Sequence, residues 1–289
     1  MNLTLQTTSD GSYTFFSSEF QEPFHALRGA REEAQEKFII PCALAEKAQQ
    51  QSHLKLLDIC YGLGYNTAAA LETIWKWHPR CHVDLIALES DEKVLQATIR
   101  HHLLREWSSP LPDLLTTLAQ HCDCHDSYLN AKLLIGDARQ TIQQVIQQGF
   151  IADAIFLDPF SPPHCPQLWS LEFLGLVAHC LHPQGKLATY SCAAAVRSAF
   201  SLAGLHYTST MGMNRRSTVA SWEKLSLPLS PLEKEHQQTR AAIPYRDPSL
   251  QDSAEIILQR RQQEQLSSNL ESTSQWRRRW QQKHLNQGS

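Results

Sequence analysis

The 289-residue sequence has no apolar run near the roughly eighteen residues that a membrane-spanning helix needs. Its first residues also lack the pattern of a secretory signal, a basic stretch followed by an apolar one. The net charge is only −3, which argues against a protein that coats nucleic acid indiscriminately. Eight cysteines are too widely scattered for a disulfide framework in a chain of this length. We therefore expect a cytoplasmic globular protein with reduced thiols.

In this sequence, Cys and His residues rarely stand at the spacing that a site for a soft metal needs. They cluster in the stretch His121–His125, which contains Cys122 and Cys124. No second Cys/His pair follows at zinc-finger spacing, so the stretch does not complete a tetrahedral ligand set. Most other cysteines fall in or beside apolar segments, where a reduced thiol behaves as a small hydrophobe. We predict no metal site.

What the sequence does contain is an apolar run that breaks into a glycine loop. Leu54–Ile59 has the composition of a strand buried on both faces, and Gly62 and Gly64 follow it before a helical pattern. Glycines at such a turn let the backbone approach a ligand at the N-terminus of the helix.

A dinucleotide-binding loop would add a third glycine, which is absent here. Asp58 and the two glycines instead match the loop of S-adenosylmethionine (SAM) methyltransferases, with Cys60 at the first glycine position. The alternative is a strand-to-helix turn that binds no ligand.

Carboxylates follow three later strand-like runs. Glu89 ends one run, where a carboxylate can accept hydrogen bonds from both hydroxyls of a ribose. Asp137 ends the next, near the expected position of an adenine amino group. Asp158 begins a proline-rich loop with Phe160, and this loop can continue neither a strand nor a helix. Because the carboxyl ends of parallel strands share one edge of a sheet, these acids favour a nucleotide-like ligand there. For Glu89 the alternative is an ordinary exposed residue at a strand end.

Strand-like and helical segments alternate through most of the chain, which predicts an α/β fold. Residues 105–130 interrupt this alternation and are interpreted as an irregular insertion. Two strand-like runs near 205–222 predict a β-hairpin. We divide the chain into an N-terminal extension that covers the active site (1–52), a SAM-dependent methyltransferase domain (53–222) and a polar tail that is helical or partly disordered (223–289).

The tail ends in a cluster of arginines flanked by tryptophans, Trp276–Trp280. Guanidinium groups and indole rings together suit phosphates and exposed bases, which favours an RNA contact. The alternative is a solvated charged surface on a peripheral helix.

Taken together and in order, several segments resemble the MnmC-type methyltransferases over roughly residues 10–222. They are Ser17–Glu33, Cys60–Asn66, Leu157–Pro162, Leu168-Trp169, Gly185–Ser191 and Val196-Arg197. The sequence departs from the family pattern at Cys60 and Leu63, which replace a usual Gly and Thr, and at Pro159, which replaces a Gly. The stretch Gly212–Ser217 matches a basic family segment only loosely.

The resemblance implies a Rossmann-like class I SAM-dependent methyltransferase. Its sheet would be mostly parallel and seven-stranded with a terminal β-hairpin, followed by a mainly helical C-terminal appendage. The implied cofactor is SAM and the implied partner is tRNA, with no obligatory protein partner. The implied reaction methylates the primary amine of 5-aminomethyl-(2-thio)uridine at the wobble position. No FAD-binding oxidase segment follows in this sequence, so we expect the stand-alone form.

The resemblance also implies roles for individual residues. Asp158 is the catalytic candidate, because a carboxylate in its loop can take a proton or a hydrogen bond from the amine; the alternative is that it only caps the loop or contacts SAM. Tyr61 and Trp169 are candidates for stacking on the target base, with plain core packing as the alternative for each. Lys186 and Arg197 are candidates for contact with phosphate. The implied cofactor-binding residues are Asp58, Tyr61, Gly62, Gly64, Asn66, Glu89, Asp137, Ala138, Asp158 and Phe160. Among them, Asp58 and Asn66 would fix the glycine loop.

Two other functions remain open at this point. The chain could be a SAM-dependent methyltransferase for a small molecule or a protein, since SAM-binding residues are shared across substrate classes. It could also be a non-catalytic RNA-binding protein whose SAM loop has decayed at Cys60. Retention of Glu89, Asp137 and Asp158 disfavours decay, because a dead site has no chemical need for three strand-end carboxylates.

Overall fold

The computed structural model describes residues 3–211 and 216–285, and their strands form two sheets. The strands are β1 (Leu3–Thr7), β2 (Tyr13–Ser17), β3 (Glu22–Pro23), β4 (His53–Ile59), β5 (His82–Glu89), β6 (Asp123–Asp126), β7 (Leu129–Ile135), β8 (Ala152–Leu157), β9 (Leu181–Thr189), β10 (His206–Met211) and β11 (Arg216–Ser221).

Helices connect and cover these strands. The α-helices are α1 (Ala30–Ala34), α2 (Leu44–Gln50), α3 (Tyr65–Trp77), α4 (Glu92–Arg100), α5 (Leu111–His121), α6 (Ala138–Gln147), α7 (Leu171–His179), α8 (Ala194–Leu202), α9 (Pro231–His236), α10 (Ala254–Ser267) and α11 (Thr273–Leu285). A π-helical turn spans Gln35–Ile39, and 3₁₀ turns span Pro166–Trp169 and Arg240–Ala242. No helix in this described part has the length and apolar character to cross a bilayer.

The large sheet has the strand order β10-β11-β9-β8-β4-β5-β7-β6. Strands β7, β5, β4, β8 and β9 are parallel, whereas β6 and β11 run against their neighbours. The mostly parallel sheet and the β10–β11 hairpin confirm the predicted α/β class. The sheet has eight strands rather than seven, because β6 adds an antiparallel edge.

That extra strand lies in residues 105–130, so the prediction of an irregular insertion was wrong. Pro112 stands in the first turn of α5, where a missing N–H costs no helical hydrogen bond. Leu111, Leu115 and Leu118 then form its buried face. In β6, Cys124 is buried opposite Ala131 of β7, so part of the Cys/His cluster is strand rather than loop.

Strand β4 is buried because its side chains alternate between two cores. Leu54 and Leu56 point to one side and pack with residues of α3 and α5. Leu57 and Ile59 point to the other side and pack with residues of α7 and α8. Helices therefore cover both faces of the sheet, which explains the continuous apolar composition of this strand.

The terminal segments pack on this central unit. The small sheet β1-β2-β3 places Phe15 in the first core. On the other side, Tyr245 and Ile257 join the second core. The carboxylate of Asp247, which is fully buried, lies 2.7 Å from the Arg139 guanidinium of α6.

The strand order reverses next to β4. Its two neighbours are β5, which follows it in the chain, and β8, which comes much later. In open α/β sheets such a reversal leaves a crevice at the carboxyl ends of the strands, where ligands bind. The glycine loop after β4 and the Asp158 loop after β8 both lie at this crevice.

Candidate active site

A cavity of about 560 Å³ occupies the crevice, a volume typical of small-molecule sites. Its walls come from the ends of β4, β5, β7 and β8 and from the N-terminal segment around β3. Of the predicted site residues, those that line the cavity are Gly62, Glu89, Asp137, Ala138, Asp158 and Phe160.

The glycine loop is built from left-handed backbone conformations. Gly62 and Gly64 have φ of 56° and 81°, which glycine adopts without strain. Cys60 has φ of 69°, so it occupies a conformation that disfavours a side chain. This left-handed conformation explains why the family pattern has glycine at the position of Cys60. Cys60 itself lines the cavity.

Tyr61 and Gly64 lie behind the loop, and neither lines the cavity. A Cβ at residue 64 would come within 2.5 Å of the Tyr61 hydroxyl oxygen, so glycine there makes room for this ring. Tyr61 is buried in the first core. Core packing removes the Tyr61 ring from the cavity, in line with the core alternative, and a part for Tyr61 in SAM binding stays a prediction.

Asp58 and Asn66 also lie behind the cavity wall and hold the loops in place. The Thr67 hydroxyl at the start of α3 donates to Asp58 Oδ2 over 2.7 Å. Complete burial raises the pKa of Asp58 to about 7. Asn66 Nδ2 donates to Asp158 Oδ2 over 2.9 Å, so α3 positions the carboxylate of the β8 loop. Neither residue lines the cavity; both hold the loops in place, as the sequence predicts, and their part in SAM binding stays a prediction.

Glu89 ties the glycine loop to the end of β5. Its carboxylate accepts from the backbone N–H groups of Gly62 at 2.8 Å, Ser90 at 2.8 Å and Asp91 at 3.0 Å. Burial raises its pKa, although these hydrogen bonds favour the charged form and oppose the rise. Glu89 thus lies on the cavity wall with a fixed orientation.

Asp137 lies at the cavity rim and caps α6. It accepts from the backbone N–H of Arg139 at 2.9 Å and lies 2.7 Å from its guanidinium. The same guanidinium contacts Asp247, so Arg139 links the cavity rim to the C-terminal segment.

Asp158 lies half-buried between the glycine loop and the N-terminal segment. Burial raises its pKa well above the usual range, and the neighbouring Glu33 carboxylate adds to the rise. Its loop is held from two sides. The Tyr190 hydroxyl donates to the Pro159 carbonyl at 2.8 Å, and the Ser161 N–H donates to Glu22 Oε2 at 2.9 Å.

Aromatic side chains from the N-terminal segment close the cavity beside this loop. Phe20 stacks on Phe160 with ring centroids 4.3 Å apart, and Phe24 meets the same ring edge-on at 5.1 Å. The sequence argument gave no roles to Phe20, Phe24, Glu22, Glu33 or Tyr190. The signal that pointed to most of them was the position of their segment at the start of the family resemblance.

Three further predicted residues lie away from the cavity in the described structure. Trp169 is fully buried, and its indole N–H donates to the Phe160 carbonyl at 2.8 Å, so it supports the loop from behind. Arg197 is 2% exposed and lies 3.0 Å from Glu233, which leaves its guanidinium inaccessible to phosphate. Lys186 lies within β9 and does not line the cavity. Residues 212–215 of the loosely matching stretch lie outside the described residues.

The cavity wall is strongly acidic. Six carboxylates line it, whereas the described lining residues include no lysine or arginine. They are Glu19, Glu22, Glu33, Glu89, Asp137 and Asp158. A concave site with one sign of charge attracts ligands of the opposite sign, so this cavity favours cationic groups.

Comparisons with known proteins agree with this geometry. A sequence model of a family described as S-adenosyl-L-methionine-dependent methyltransferase matches residues 96–224. An uncharacterized protein of Methanocaldococcus jannaschii is 27% identical over 90% of this chain and 71% of its own length. The tRNA 5-methylaminomethyl-2-thiouridine biosynthesis bifunctional protein MnmC of Aromatoleum aromaticum is 32% identical over 69% of this chain and 32% of its own length. The chain thus spans about a third of the bifunctional relatives that it matches.

A solved structure gives the more complete match. The crystal structure of MnmC2 from Aquifex aeolicus superposes with a TM-score of 0.79 and 31% sequence identity, covering 90% of this chain and 84% of that chain. The shared fold and sequence confirm the Rossmann-like methyltransferase class and SAM as the methyl donor. This chain belongs to the MnmC2 family of SAM-dependent methyltransferases.

Proposed function

We propose that this chain methylates the primary amine of 5-aminomethyl-(2-thio)uridine at the tRNA wobble position, giving 5-methylaminomethyl-(2-thio)uridine. The names of its bifunctional MnmC relatives support this product. The sequence segments that resemble the family include both loops of the cavity.

The observation that carries the proposal is the acidic cavity wall. SAM bears a sulfonium and an ammonium group, and an aliphatic amine is protonated at neutral pH. Six carboxylates with no lysine or arginine among the described lining residues suit two cationic reactants. A neutral or anionic acceptor would gain nothing from the same wall.

The cavity offers groups that fit each part of SAM. Glu89 is oriented by three backbone N–H groups and can accept from the ribose hydroxyls. Gly62 lines the cavity without a side chain, so the methionine part of SAM can approach its backbone closely. Asp137 and Ala138 at the start of α6 line the side where the adenine would lie.

Asp158 is the residue that we assign to the acceptor amine. SAM supplies an electrophilic methyl group, so the amine must present a free lone pair in line with the sulfur–carbon bond. The raised pKa of Asp158 lets it take one proton from the ammonium. The nitrogen lone pair then forms the new carbon–nitrogen bond while the sulfur keeps the electrons of the broken one. Asn66 keeps the carboxylate in place throughout.

Asp158→Asn removes the proton acceptor while preserving shape and the contact with Asn66. We expect turnover to fall by about a hundredfold or more, since general-base catalysis typically contributes 10²–10⁴. The affinity for SAM should change by less than about threefold, which corresponds to about 0.7 kcal/mol. Single-turnover kinetics and calorimetry measure the two quantities.

A matched control for this variant is Asp137→Asn, which makes the same chemical change at the adenine side. It should weaken SAM binding with a smaller effect on turnover at saturating SAM. Unchanged turnover in Asp158→Asn would remove Asp158 from the proposed role.

The substrate is tested with labelled SAM and tRNA from cells that lack this methylation. Nucleoside mass spectrometry should place the methyl group on 5-aminomethyluridine derivatives. Labelling of another nucleoside, or labelling of small molecules or proteins instead of tRNA, would overturn the substrate assignment. Absence of SAM binding with Glu89 intact would leave the non-catalytic RNA-binding function.

A further inference from the structure

Two histidines and an aspartate converge at the edge of the sheet opposite the active site. His53 begins β4, and His82 and Asp84 lie on the neighbouring β5. The parallel register pairs His53 with His82, and alternate residues of a strand point to the same face. Three potential ligands from two adjacent strands therefore share one surface.

Their ligand atoms are close enough to share one ion. Nε2 of His53 lies 2.9 Å from one carboxylate oxygen of Asp84, and Nε2 of His82 lies 3.4 Å from the other. Ligand atoms of all three residues lie within 4.8 Å of one another. Zinc bonds of about 2.0–2.2 Å in tetrahedral geometry place neighbouring ligand atoms roughly 3.3 Å apart. The observed spacing therefore needs little adjustment to accept an ion.

A neighbouring strand supports the carboxylate. Asn130 lies on β7 in register with Asp84, and its Nδ2 donates to Asp84 Oδ1 at 3.3 Å. Hydrogen bonds of this kind orient metal ligands and tune their affinity. The side chains of His53, His82 and Asp84 are 49%, 38% and 21% exposed, so an ion has direct access from solvent.

We propose that His53, His82 and Asp84 bind one divalent transition-metal ion such as Zn²⁺, with water completing its coordination. Two imidazoles and a carboxylate are ligands that zinc and its first-row neighbours accept. Each histidine binds through Nε2 as the neutral imidazole and keeps its proton on Nδ1. The 28 residues between the two histidines hide this site from motif analysis, because only the register of β4 and β5 brings them together.

The bound ion is structural. Along β4, six residues at about 3.3 Å each separate His53 from Ile59 beside the cavity, roughly 20 Å in all. An ion at this distance does not touch the reacting groups. Instead it links the beginnings of β4 and β5 and stabilises the folded chain by binding it selectively.

The test is a titration of the full chain with Co²⁺, a spectroscopic stand-in for zinc. We expect one equivalent to give a visible spectrum of nitrogen and oxygen ligands without a thiolate charge-transfer band. His53→Ala and His82→Ala should each weaken binding at least tenfold, and Asn130→Ala about tenfold as a supporting residue. In a melting experiment, Zn²⁺ should raise the Tm of the wild-type chain but not that of His82→Ala.

The matched control is His125→Ala. His125 is an exposed histidine 3.0 Å from Asp123, so it reproduces a histidine–aspartate pair without the second histidine. Cobalt affinity should be unchanged in this variant, and methyl transfer should be unchanged in His82→Ala. A thiolate band, or full affinity in both His53→Ala and His82→Ala, would overturn the proposal.

Discussion

At the scale of single residues, Cys60 is the position where sequence and geometry disagree most. Its φ of 69° explains why the family pattern has glycine there. A side chain in this conformation costs roughly 1–2 kcal/mol. Because the turn still forms around Cys60, the strain is balanced by the surrounding contacts, including the hydrogen bond from the Gly62 N–H to the Glu89 carboxylate. The departure at Cys60 is therefore compatible with an intact SAM loop.

This strain predicts an order of stability between two variants. Cys60→Ala and Cys60→Gly both remove the thiol, but only glycine relieves the left-handed backbone. We expect Cys60→Gly to be more stable than Cys60→Ala by about 1 kcal/mol, after the larger unfolded-state entropy of glycine is counted. Urea unfolding of both variants measures the difference. Equal stability, or greater stability of the alanine variant, would contradict the backbone conformation assigned to residue 60.

Sequence reasoning located the cavity acids but not every neighbour of the loop. Glu89, Asp137 and Asp158 could be predicted because the carboxyl ends of parallel strands must meet at one edge. The orientation of Tyr61 could not be predicted, since a residue in such a loop can point into the cavity or into the core. Gly64 shows the same limit of sequence reasoning, because the absence of a side chain there makes space for the Tyr61 ring rather than for a ligand.

At the scale of elements, apolar periodicity identified the parallel strands and failed at the insertion 105–130. Pro110 and Pro112 suggested a loop, yet proline is well tolerated in the first turn of a helix such as α5. Strand β6 has one buried residue, Cys124. Its other residues are polar, so the strand lacks the alternation of apolar and polar residues from which a strand is predicted. Its pairing with β7 is a tertiary effect that local sequence does not encode.

The predicted cluster of arginines and tryptophans falls on α11, and its members divide by exposure. Trp276 is 6% exposed and stacks on His236 of α9, so its ring is not available to a base. Arg279 lies 3.0 Å from Glu271 and 3.1 Å from Glu235. Arg277 and Arg278 are exposed. An RNA contact on this helix would therefore use these two side chains.

Arg277→Ala combined with Arg278→Ala should weaken binding of substrate tRNA without changing SAM affinity. Helix α11 lies near the active-site edge, because α9 beside it contacts Arg216 at the start of β11. Losing two phosphate contacts should reduce the dependence of log affinity on log salt by about 1.5. Binding assays at several salt concentrations measure this slope.

Lys76→Ala combined with Arg80→Ala is the matched control for this pair. Both residues are exposed, Lys76 in the last turn of α3 and Arg80 in the turn that follows it, which leads into the opposite edge of the sheet. Equal salt slopes in the two double variants would show that α11 is no RNA contact.

At the scale of the whole molecule, the cavity is assembled from three parts of the chain. The N-terminal sheet supplies Phe20 and Glu22, the central sheet supplies Glu89 and Asp158, and Arg139 links the rim to the C-terminal segment. Burying several acids in one place makes folding depend on pH. Asp58 and His25 act in opposite directions, because burial raises the pKa of Asp58 to about 7 and lowers that of His25 to about 4.

The difference in the free energy of unfolding between wild type and Asp58→Asn separates the contribution of Asp58 from that of His25. With its pKa raised to about 7 by burial, Asp58 binds more protons in the folded than in the unfolded chain between about pH 4 and pH 7. Its stabilising contribution is therefore complete below about pH 4 and is lost as the pH rises through about 7.

Asparagine does not titrate, so the free energy of unfolding of Asp58→Asn minus that of wild type should increase over this range. The increase should be on the order of 4 kcal/mol and should level off above pH 7. Urea unfolding at several pH values measures it. A flat difference for Asp58→Asn would show that Asp58 is not buried as a high-pKa acid behind the glycine loop.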